Sequence, residues 1–94
     1  MPRSKQKLLS RQSLAENLRA VRSVFGWSQE ELGFECGLKR TYIGAIERIE
    51  VNLGVDNLDR LAHGVGVMPH VLLLTPTQAY PEIYSAASTA KKSR

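Results

Sequence analysis

The apolar residues of the chain recur every three to four positions, the spacing that places side chains on one face of an α-helix. The first run predicts a helix that begins at Ser13 and ends at Gly26, because glycine readily adopts the left-handed geometry that closes a helix. Its inward-facing residues are Leu14, Leu18, Val21 and Phe25. No strand-like alternation and no internal repeat stands out, so the pattern predicts an all-α fold.

The second predicted helix has the clearest start signal in the sequence. Ser28 and Glu31 have the spacing of a capping box, and Trp27 and Leu32 have that of a hydrophobic staple. Gly37 follows two turns later and ends the helix. We therefore expect a short helix between Ser28 and Gly37.

A third helix is expected from about Lys39 to Arg48, with Leu38, Ile43 and Ile46 facing inward. Lys39 is a poor N-cap, and its positive charge opposes the helix dipole. A nearby anion would offset this unfavourable interaction, so Lys39 favours a negatively charged partner.

Two more helices and two flanking segments complete the prediction. A loop over 49–54 precedes a fourth helix that Gly66 closes, and Pro69 suits the first position of a fifth helix that Thr75 and Pro76 stop. The chain is thus expected to form a compact five-helix bundle. The expected division is a basic arm at 1–12, the bundle at 13–74 and a C-terminal tail at 75–94.

Composition and charge limit the number of domains and indicate the kind of partner. The 94 residues suffice for one small domain, and 13 Lys and Arg against 9 Asp and Glu give a net charge of +4. Residues 1–22 carry +5, residues 23–74 carry −3 and residues 75–94 carry +2, so the positive charge lies at the ends. This excess favours a polyanionic partner without identifying it.

Several classes of protein are excluded. The single cysteine, Cys36, rules out an intramolecular disulfide or a cysteine-based zinc cluster and fits a reducing cytoplasm. The longest apolar run is the four residues of 71–74, so neither a membrane span nor a signal peptide is expected. His63 and His70 fall on different predicted helices without clustered carboxylates, and no catalytic motif is present. We expect neither a metal or cofactor nor enzymatic activity.

The segment from Gln29 to Arg48 has the layout of a helix-turn-helix. Two short helices meet at a turn that contains Gly37, and Gly33 is small at the point where the helices would cross. This layout favours DNA binding. Small helical bundles without DNA-binding activity contain similar corners, so the spacing alone leaves both interpretations open.

The same segment resembles the Cro/C1-type (XRE) helix-turn-helix regulators, a family with a lambda-repressor-like DNA-binding domain. The resemblance rests on WSQEELGFECGLKRTYIGAIER at 27–48 and NLGVDNLDRLAHGVGV at 52–67, and it covers roughly residues 13–74. Within the family, 37–48 is most similar to the controller proteins of restriction-modification systems, which bind upstream of their own and the endonuclease genes. The resemblance implies a sequence-specific, DNA-binding transcription regulator.

The resemblance also implies that the third helix lies in the major groove with its N-terminal residues at the base edges. Arg40 can donate two hydrogen bonds to guanine, and Thr41 offers a hydroxyl and a methyl group. Lys39 and Tyr42 can reach a base or a phosphate, and Ala45 could contact a thymine methyl group. These five residues are the candidate base contacts.

A second set of residues is implied to position the protein on the DNA backbone. Gln29 matches the family's phosphate-binding glutamine at a helix N-terminus, and Arg22 and Glu47 occupy positions that form an ion pair in the family. The alternative for Gln29 and Arg48 is a solvated surface role, and the Arg22–Glu47 pair is expected to belong to the scaffold. The candidate phosphate contacts are Gln29, Ser28, Arg48, Arg22 and Asn52.

Three departures from the family pattern affect the loops. Ile49 stands where the family usually has Gly, and Gly54 and Met68 stand where it usually has a Ser or Thr cap. Ile49 bears on the path of the 49–53 loop and therefore on any contact from Asn52.

A domain of this size reads only a few base pairs, so useful specificity favours a homodimer on a pseudo-palindromic operator. The expected dimer surface comprises Val67, Val71, Leu72 and Leu74, extended by Tyr80 and Tyr84. The alternative is that these residues close the core of the monomer. Autoregulation is the simplest control, and activation would add a contact with RNA polymerase. A different function remains open, that of an antitoxin or other protein-binding module whose tail captures a partner.

Overall fold

A computed structural model describes the backbone of residues 9–92 and the side chains of residues 9–90. Every regular element in this range is helical. The elements are α1 (Leu9–Phe25), α2 (Gln29–Cys36), α3 (Arg40–Glu47), α4 (Val55–Val65), a 3₁₀ helix (Pro69–Leu73) and α5 (Pro76–Lys92). The predicted all-α fold with five α-helices is confirmed, although the fifth α-helix is not the segment that the sequence pattern indicates.

All six elements contribute to one core. Each places at least one fully buried aliphatic side chain in it, so no helix is a peripheral addition. These side chains are Leu18, Leu32, Ile43, Leu61, Leu72 and Ile83. Because burying such a side chain contributes roughly 1.5–3 kcal/mol, the six form the main stabilising contact between the helices.

The N-terminal helix starts earlier than expected. It begins at Leu9, four residues before Ser13, so residues 9–12 of the expected arm are the first turn of α1. The rest of the arm, 1–8, lies outside the described residues.

The predicted start and end of α2 are both present. The Ser28 hydroxyl accepts a hydrogen bond from the Glu31 amide at 3.0 Å, and the Glu31 carboxylate accepts one from the Ser28 amide at 2.9 Å. Gly37 closes the helix with a φ of 71°. The poor cap expected at Lys39 is also present, because its side chain makes no capping hydrogen bond to α3.

The C-terminal part differs from the prediction. Pro69–Leu73 forms a 3₁₀ helix, and the expected tail contains α5, a helix of 17 residues. Its inward residues Ala79, Ile83 and Ala87 are buried and follow one face at a spacing of four. The helix therefore belongs to the folded bundle, packed mainly against α1.

The expected dimer surface is largely used inside the monomer. Val71 and Leu72 are 4% and 0% exposed, so they cannot contact a second copy of the folded chain. Val67 and Leu74 are half-buried and pack against the same core. The buried Asn17 amide holds this segment by donating to the carbonyls of Leu72 at 2.9 Å and Leu74 at 2.8 Å. These residues close the core, which is the alternative interpretation.

The corner between α2 and α3 depends on a close backbone approach. A Cβ atom at Gly33 would collide with the carbonyl oxygen of Leu38, whose amide in turn donates to the Gly33 carbonyl at 2.8 Å. Gly33 thus allows the turn to pass directly over α2, and the turn sets the angle at which α3 leaves it.

Candidate nucleic-acid interface

The two sides of α3 differ in chemistry. Its inner side carries the buried residues Ile43, Gly44, Ile46 and Glu47. On its outer side, Thr41, Ala45 and Arg48 follow one another at spacings of four and three, which is one helical face. Lys39 and Arg40 are exposed at its N-terminal end. Helix α3 and the residues at its two ends therefore present three cations and a hydroxyl outward, while the inner side of the helix is buried.

Four of the five candidate base contacts share one open cleft of about 510 Å³. Arg40 is exposed next to it at the start of α3. The residues lining the cleft are Gly37, Leu38, Lys39, Thr41, Tyr42, Ala45 and Asn57. The cleft thus joins the start of α3 to the first turn of α4.

Tyr42 is held from the side by α4. The Asn57 side-chain amide donates to the Tyr42 hydroxyl at 3.1 Å, and the Asn57 carbonyl oxygen accepts from the Arg60 guanidinium at 2.6 Å. Tyr42 and Asn57 are half-buried, whereas Arg60 is exposed. Asn57 and Arg60 were not predicted from the sequence, because the apolar stripe of α4 carries no signal for a contact with α3.

The C-terminal end of α3 is anchored through Glu47. Arg22 donates to both oxygens of the Glu47 carboxylate, from Nε at 2.8 Å and from Nη2 at 3.0 Å. Gln29 donates to Oε1 at 3.1 Å, so the carboxylate joins α1, α2 and α3. Hydrogen bonding to Glu47 raises the pKa of Arg22 above its ordinary value. The pair is present at the positions where the family resemblance implies one.

Arg19 is a third residue of this region that was not predicted from the sequence. Its guanidinium donates to the backbone carbonyl of Glu47 and lies 3.9 Å from Oε1 of the same residue. A basic side chain beside a helix C-terminus is stabilising, because the final carbonyl groups carry partial negative charge. Its spacing of three from Arg22 on α1 was the available signal.

The candidate phosphate contacts have different environments. The Ser28 hydroxyl accepts its capping bond, Gln29 is half-buried against Glu47, and Arg22 is committed to the same carboxylate. Arg48 is exposed and pairs with Glu50 at 3.1 Å. Asn52 is exposed in the loop that follows α3. The structure brings Gln29 and Arg22 together at Glu47, and no hydrogen bond or ion pair among the described residues joins Asn52 to them.

The described residues hold no group of three or more His, Cys, Asp or Glu side chains that could bind a metal ion. In the same range, none of the helices combines the length and the apolar character that crossing a bilayer requires. Cys36 is buried, and its burial followed by the nearby Glu35 charge raises the pKa of its thiol to about 11.

A short helix, a glycine turn and a second helix with an open, cationic outer side define a helix-turn-helix scaffold of the DNA-binding class. A protein-family model described as helix-turn-helix matches residues 18–71, more than half of the chain. The chain belongs to this family, in its Cro/C1-type branch. It is therefore a DNA-binding transcription regulator and not an enzyme.

Named relatives agree with this assignment. A hypothetical transcription factor of Neisseria meningitidis serogroup B is 42% identical over 76 residues, which cover 81% of this chain and 72% of that protein. Control protein C.BamHI of Bacillus amyloliquefaciens is 44% identical over 59 residues, covering 62% of this chain and 73% of the relative. Control protein C.SmaI of Serratia marcescens is 43% identical over 60 residues, covering 64% and 71%. The chain is thus related to control proteins, as the resemblance of 37–48 implied.

A solved structure supports the fold. The crystal structure of the hypothetical transcription factor NHTF from Neisseria matches this chain with a TM-score of 0.70 and 39% sequence identity. The match covers 87% of this chain and 91% of that one. Residues 13–74 are about two thirds of the chain, so a share of 87% means that the likeness extends beyond that range.

Proposed function

We propose that the chain is a cytoplasmic, homodimeric regulator that binds a pseudo-palindromic operator beside its own gene and controls its own expression. Two copies would place two α3 helices in successive major grooves, about 34 Å apart along the DNA. Activation at such an operator would add a contact with RNA polymerase. Relatives named as control proteins support this regulatory role.

The observation that carries the proposal is the outward presentation of the first turn of α3. Lys39, Arg40 and Thr41 are exposed side by side, and Tyr42 and Ala45 line the adjoining cleft together with Lys39 and Thr41. Arg40 would read guanine, Thr41 and Ala45 would contact a thymine methyl group, and Lys39 would contact a phosphate. The buried end at Glu47 keeps this surface rigid, so little order has to be created on binding.

Gln29 and Arg48 are the proposed phosphate contacts at the edges of the reading surface. Gln29 stands at the first turn of α2, where free backbone amides favour an anion, and its remaining amide hydrogen is available after it donates to Glu47. Ser28 would add backbone rather than hydroxyl contacts, Asn52 would contribute from the loop, and Arg22 would act through Glu47.

We assign the homodimer contact to the outer face of α5. Tyr80 and Tyr84 are 48% and 56% exposed, and their rings stack with centroids 6.1 Å apart. An exposed aromatic pair on a well-packed helix is typical of a protein contact. The proposed dimer contact therefore moves from Val71 and Leu72, which are buried in the core, to the outer face of α5. A different partner protein on the same face is the alternative that matches an antitoxin-like module.

The DNA proposal is tested by titrating the protein onto a fluorescent duplex from the region upstream of its gene and onto a scrambled duplex, at two salt concentrations. We expect cooperative binding to the upstream duplex that is about 10³-fold tighter than binding to the scrambled one. Equal and steeply salt-dependent binding to both would contradict it, because phosphate contacts alone behave in that way.

The dimer proposal is tested by sedimentation of the wild type and of the double variant Tyr80→Gln, Tyr84→Gln. Deleting α5 is unsuitable, because Ile83 and its neighbours would be removed from the core. We expect a wild-type dimer and a folded, monomeric variant with weaker, non-cooperative DNA binding. A wild-type monomer that stays monomeric on DNA would overturn the homodimer, and an unchanged dimer in the variant would overturn the α5 contact.

A further inference from the structure

We propose that Asn57 of α4 is a positioning residue for DNA reading, which makes the Tyr42 hydroxyl a hydrogen-bond donor toward DNA, and that Arg60 sets Asn57 in the required orientation. The inference rests on the proposed function, since it concerns how the same cleft selects its DNA partner. It concerns two residues of α4, outside the helix-turn-helix itself.

The orientation of Asn57 follows from its contact with Arg60. A guanidinium group can only donate hydrogen bonds, so the Asn57 atom that faces it must be the carbonyl oxygen. The distance from Arg60 Nη1 to that oxygen is 2.6 Å. The two ends of an amide side chain are otherwise hard to distinguish, and here the chemistry of the neighbour assigns them.

The orientation of Asn57 then determines what Tyr42 can do. The amide nitrogen of Asn57 lies 3.1 Å from the Tyr42 hydroxyl oxygen, and an amide nitrogen can only donate. The hydroxyl must therefore accept from Asn57. Its own hydrogen is left for another acceptor, and the open side of the residue is the cleft that it shares with Lys39 and Thr41.

A hydroxyl held in this way discriminates between groups on DNA. It can donate to an acceptor, such as a phosphate oxygen, guanine N7 or O6, or thymine O4. With one side occupied by the Asn57 donor, it is poorly placed to accept from the amino groups of adenine or cytosine. The chain of hydrogen bonds from Arg60 through Asn57 to Tyr42 thus favours a hydrogen-bond acceptor on the DNA at the position that Tyr42 faces.

The decisive variant is Asn57→Asp, which reverses the hydrogen bond at nearly constant size. A carboxylate only accepts, so it would still bind Arg60 but would take the Tyr42 hydrogen and remove the donor from the cleft. Asp is also well tolerated there, because position 57 is in the first turn of α4 and negative charge is favourable at a helix N-terminus. Loss of the fold is therefore not expected, and a thermal melt checks it.

The control for the added negative charge is Val55→Asp. Val55 is the first residue of α4 and is 74% exposed, so the variant adds the same charge to the same helix end. No hydrogen bond to Tyr42 is changed. The probe is the upstream duplex or, if that duplex is not bound specifically, the duplex that the wild-type chain selects from a random pool.

We expect Asn57→Asp to weaken binding of this duplex by about 3- to 10-fold more than Val55→Asp does, the effect of one lost hydrogen bond. In a Tyr42→Phe background the two variants should be equal, because the hydroxyl is already absent. A loss confined to the specific duplex indicates a base acceptor, and an equal loss on scrambled DNA indicates a phosphate. Equal effects of the two variants in the wild-type background would overturn the proposal, as would an unchanged difference between them in the Tyr42→Phe background.

A measurement without DNA separates this proposal from the proposed function. In the free protein, Tyr42→Phe should shift the NMR signals of the Asn57 side-chain amide, and unchanged signals would show that the hydrogen bond is absent. A wild-type chain that selects no duplex at all would overturn the proposed function. A selective wild type whose affinity is insensitive to Asn57→Asp would overturn the positioning role alone.

Discussion

Arg22 and Glu47 connect the C-terminal end of α3 to α1. Two hydrogen bonds, at 2.8 and 3.0 Å, connect the guanidinium in the last turn of α1 with the carboxylate of the last residue of α3. Glu47 is only 3% exposed, so its charge depends on these partners rather than on water. The outer surface of α3 is therefore positioned by chemistry on its inner side.

The first prediction follows from this dependence. Arg22→Ala should lower the free energy of unfolding by about 2 to 3 kcal/mol, because removing one partner leaves a buried charge with weaker compensation. The value lies at the low end for a buried pair, since Arg22 is 27% exposed and Gln29 still donates to the carboxylate. Urea unfolding measures the change.

A matched variant tests the assignment to burial. Arg48→Ala removes an ion pair with Glu50 in which both side chains are more than half exposed. It should leave the unfolding free energy almost unchanged, because solvent screens exposed pairs. Equal losses for Arg22→Ala and Arg48→Ala would contradict the argument.

Ile49 carries the second prediction. Helix α3 ends in a Schellman motif, with the Ile49 amide donating to Ile46 at 3.0 Å and the Glu50 amide donating to Ala45 at 2.9 Å. Ile49 therefore has a φ of 59°, and it is the single described residue other than glycine with a positive φ. A β-branched residue is strained in that region.

Two truncations of Ile49 separate backbone strain from lost burial. Both Ile49→Gly and Ile49→Ala remove the side chain, but only Ala keeps a Cβ atom in the left-handed conformation. We expect Ile49→Gly to be more stable than Ile49→Ala by about 1 kcal/mol, the reverse of the order at an ordinary position. Thermal or urea unfolding of the pair measures it, and a more stable Ala variant would show that the strain is absent.

The sequence predicted the elements whose signals are local. The capping box at Ser28, the left-handed Gly37 and the small Gly33 at the helix crossing act within a few residues, and all three appear as expected. Contacts between helices were harder to predict from the sequence. The link from Asn57 to Tyr42 and that from Arg19 to Glu47 depend on how helices pack, which periodicity does not encode.

Helix α5 was not predicted because its buried face consists mainly of small residues, which give a weak hydrophobic pattern in the sequence. The buried face of α5 consists of Ala79, Ile83 and Ala87, so only one large apolar residue marks it. Its Ser, Thr, Ala and Pro content is typical of a tail, and Pro81 lies inside the helix. Packing against α1 overrides this local preference. Packing between helices also decides the position of Val71 and Leu72, which lie in the core and not on the surface.

The third prediction concerns pH and Cys36. Burial raises the pKa of its thiol from 9.0 to about 11, so the folded state keeps a proton that the unfolded chain loses above pH 9. The unfolded state then binds fewer protons than the native state, and stability must fall as the pH rises from 9 to 11. The loss attributable to Cys36 should reach up to about 2 kcal/mol.

A Cys36→Ala variant isolates this effect from the other groups that titrate at high pH. The variant loses some packing at every pH, because Cys36 is 5% exposed in the core. The stability difference between wild type and variant should be constant below pH 9 and shrink above it. A difference that stays constant to pH 11 would show that the folded thiol ionises normally.

The last prediction separates base reading from phosphate binding. Arg40→Ala should weaken the specific duplex and leave scrambled DNA nearly unaffected, with a loss of about 1 to 3 kcal/mol at a single base position. Gln29→Ala should weaken both duplexes alike, and it should also lower stability by about 1 kcal/mol, since it removes one of the donors to Glu47. Fluorescence titrations with operator variants, together with urea unfolding, measure the two effects. Equal losses on specific and scrambled DNA for Arg40→Ala would move that residue to the phosphate contacts and leave Thr41, Tyr42 and Ala45 as the proposed base contacts.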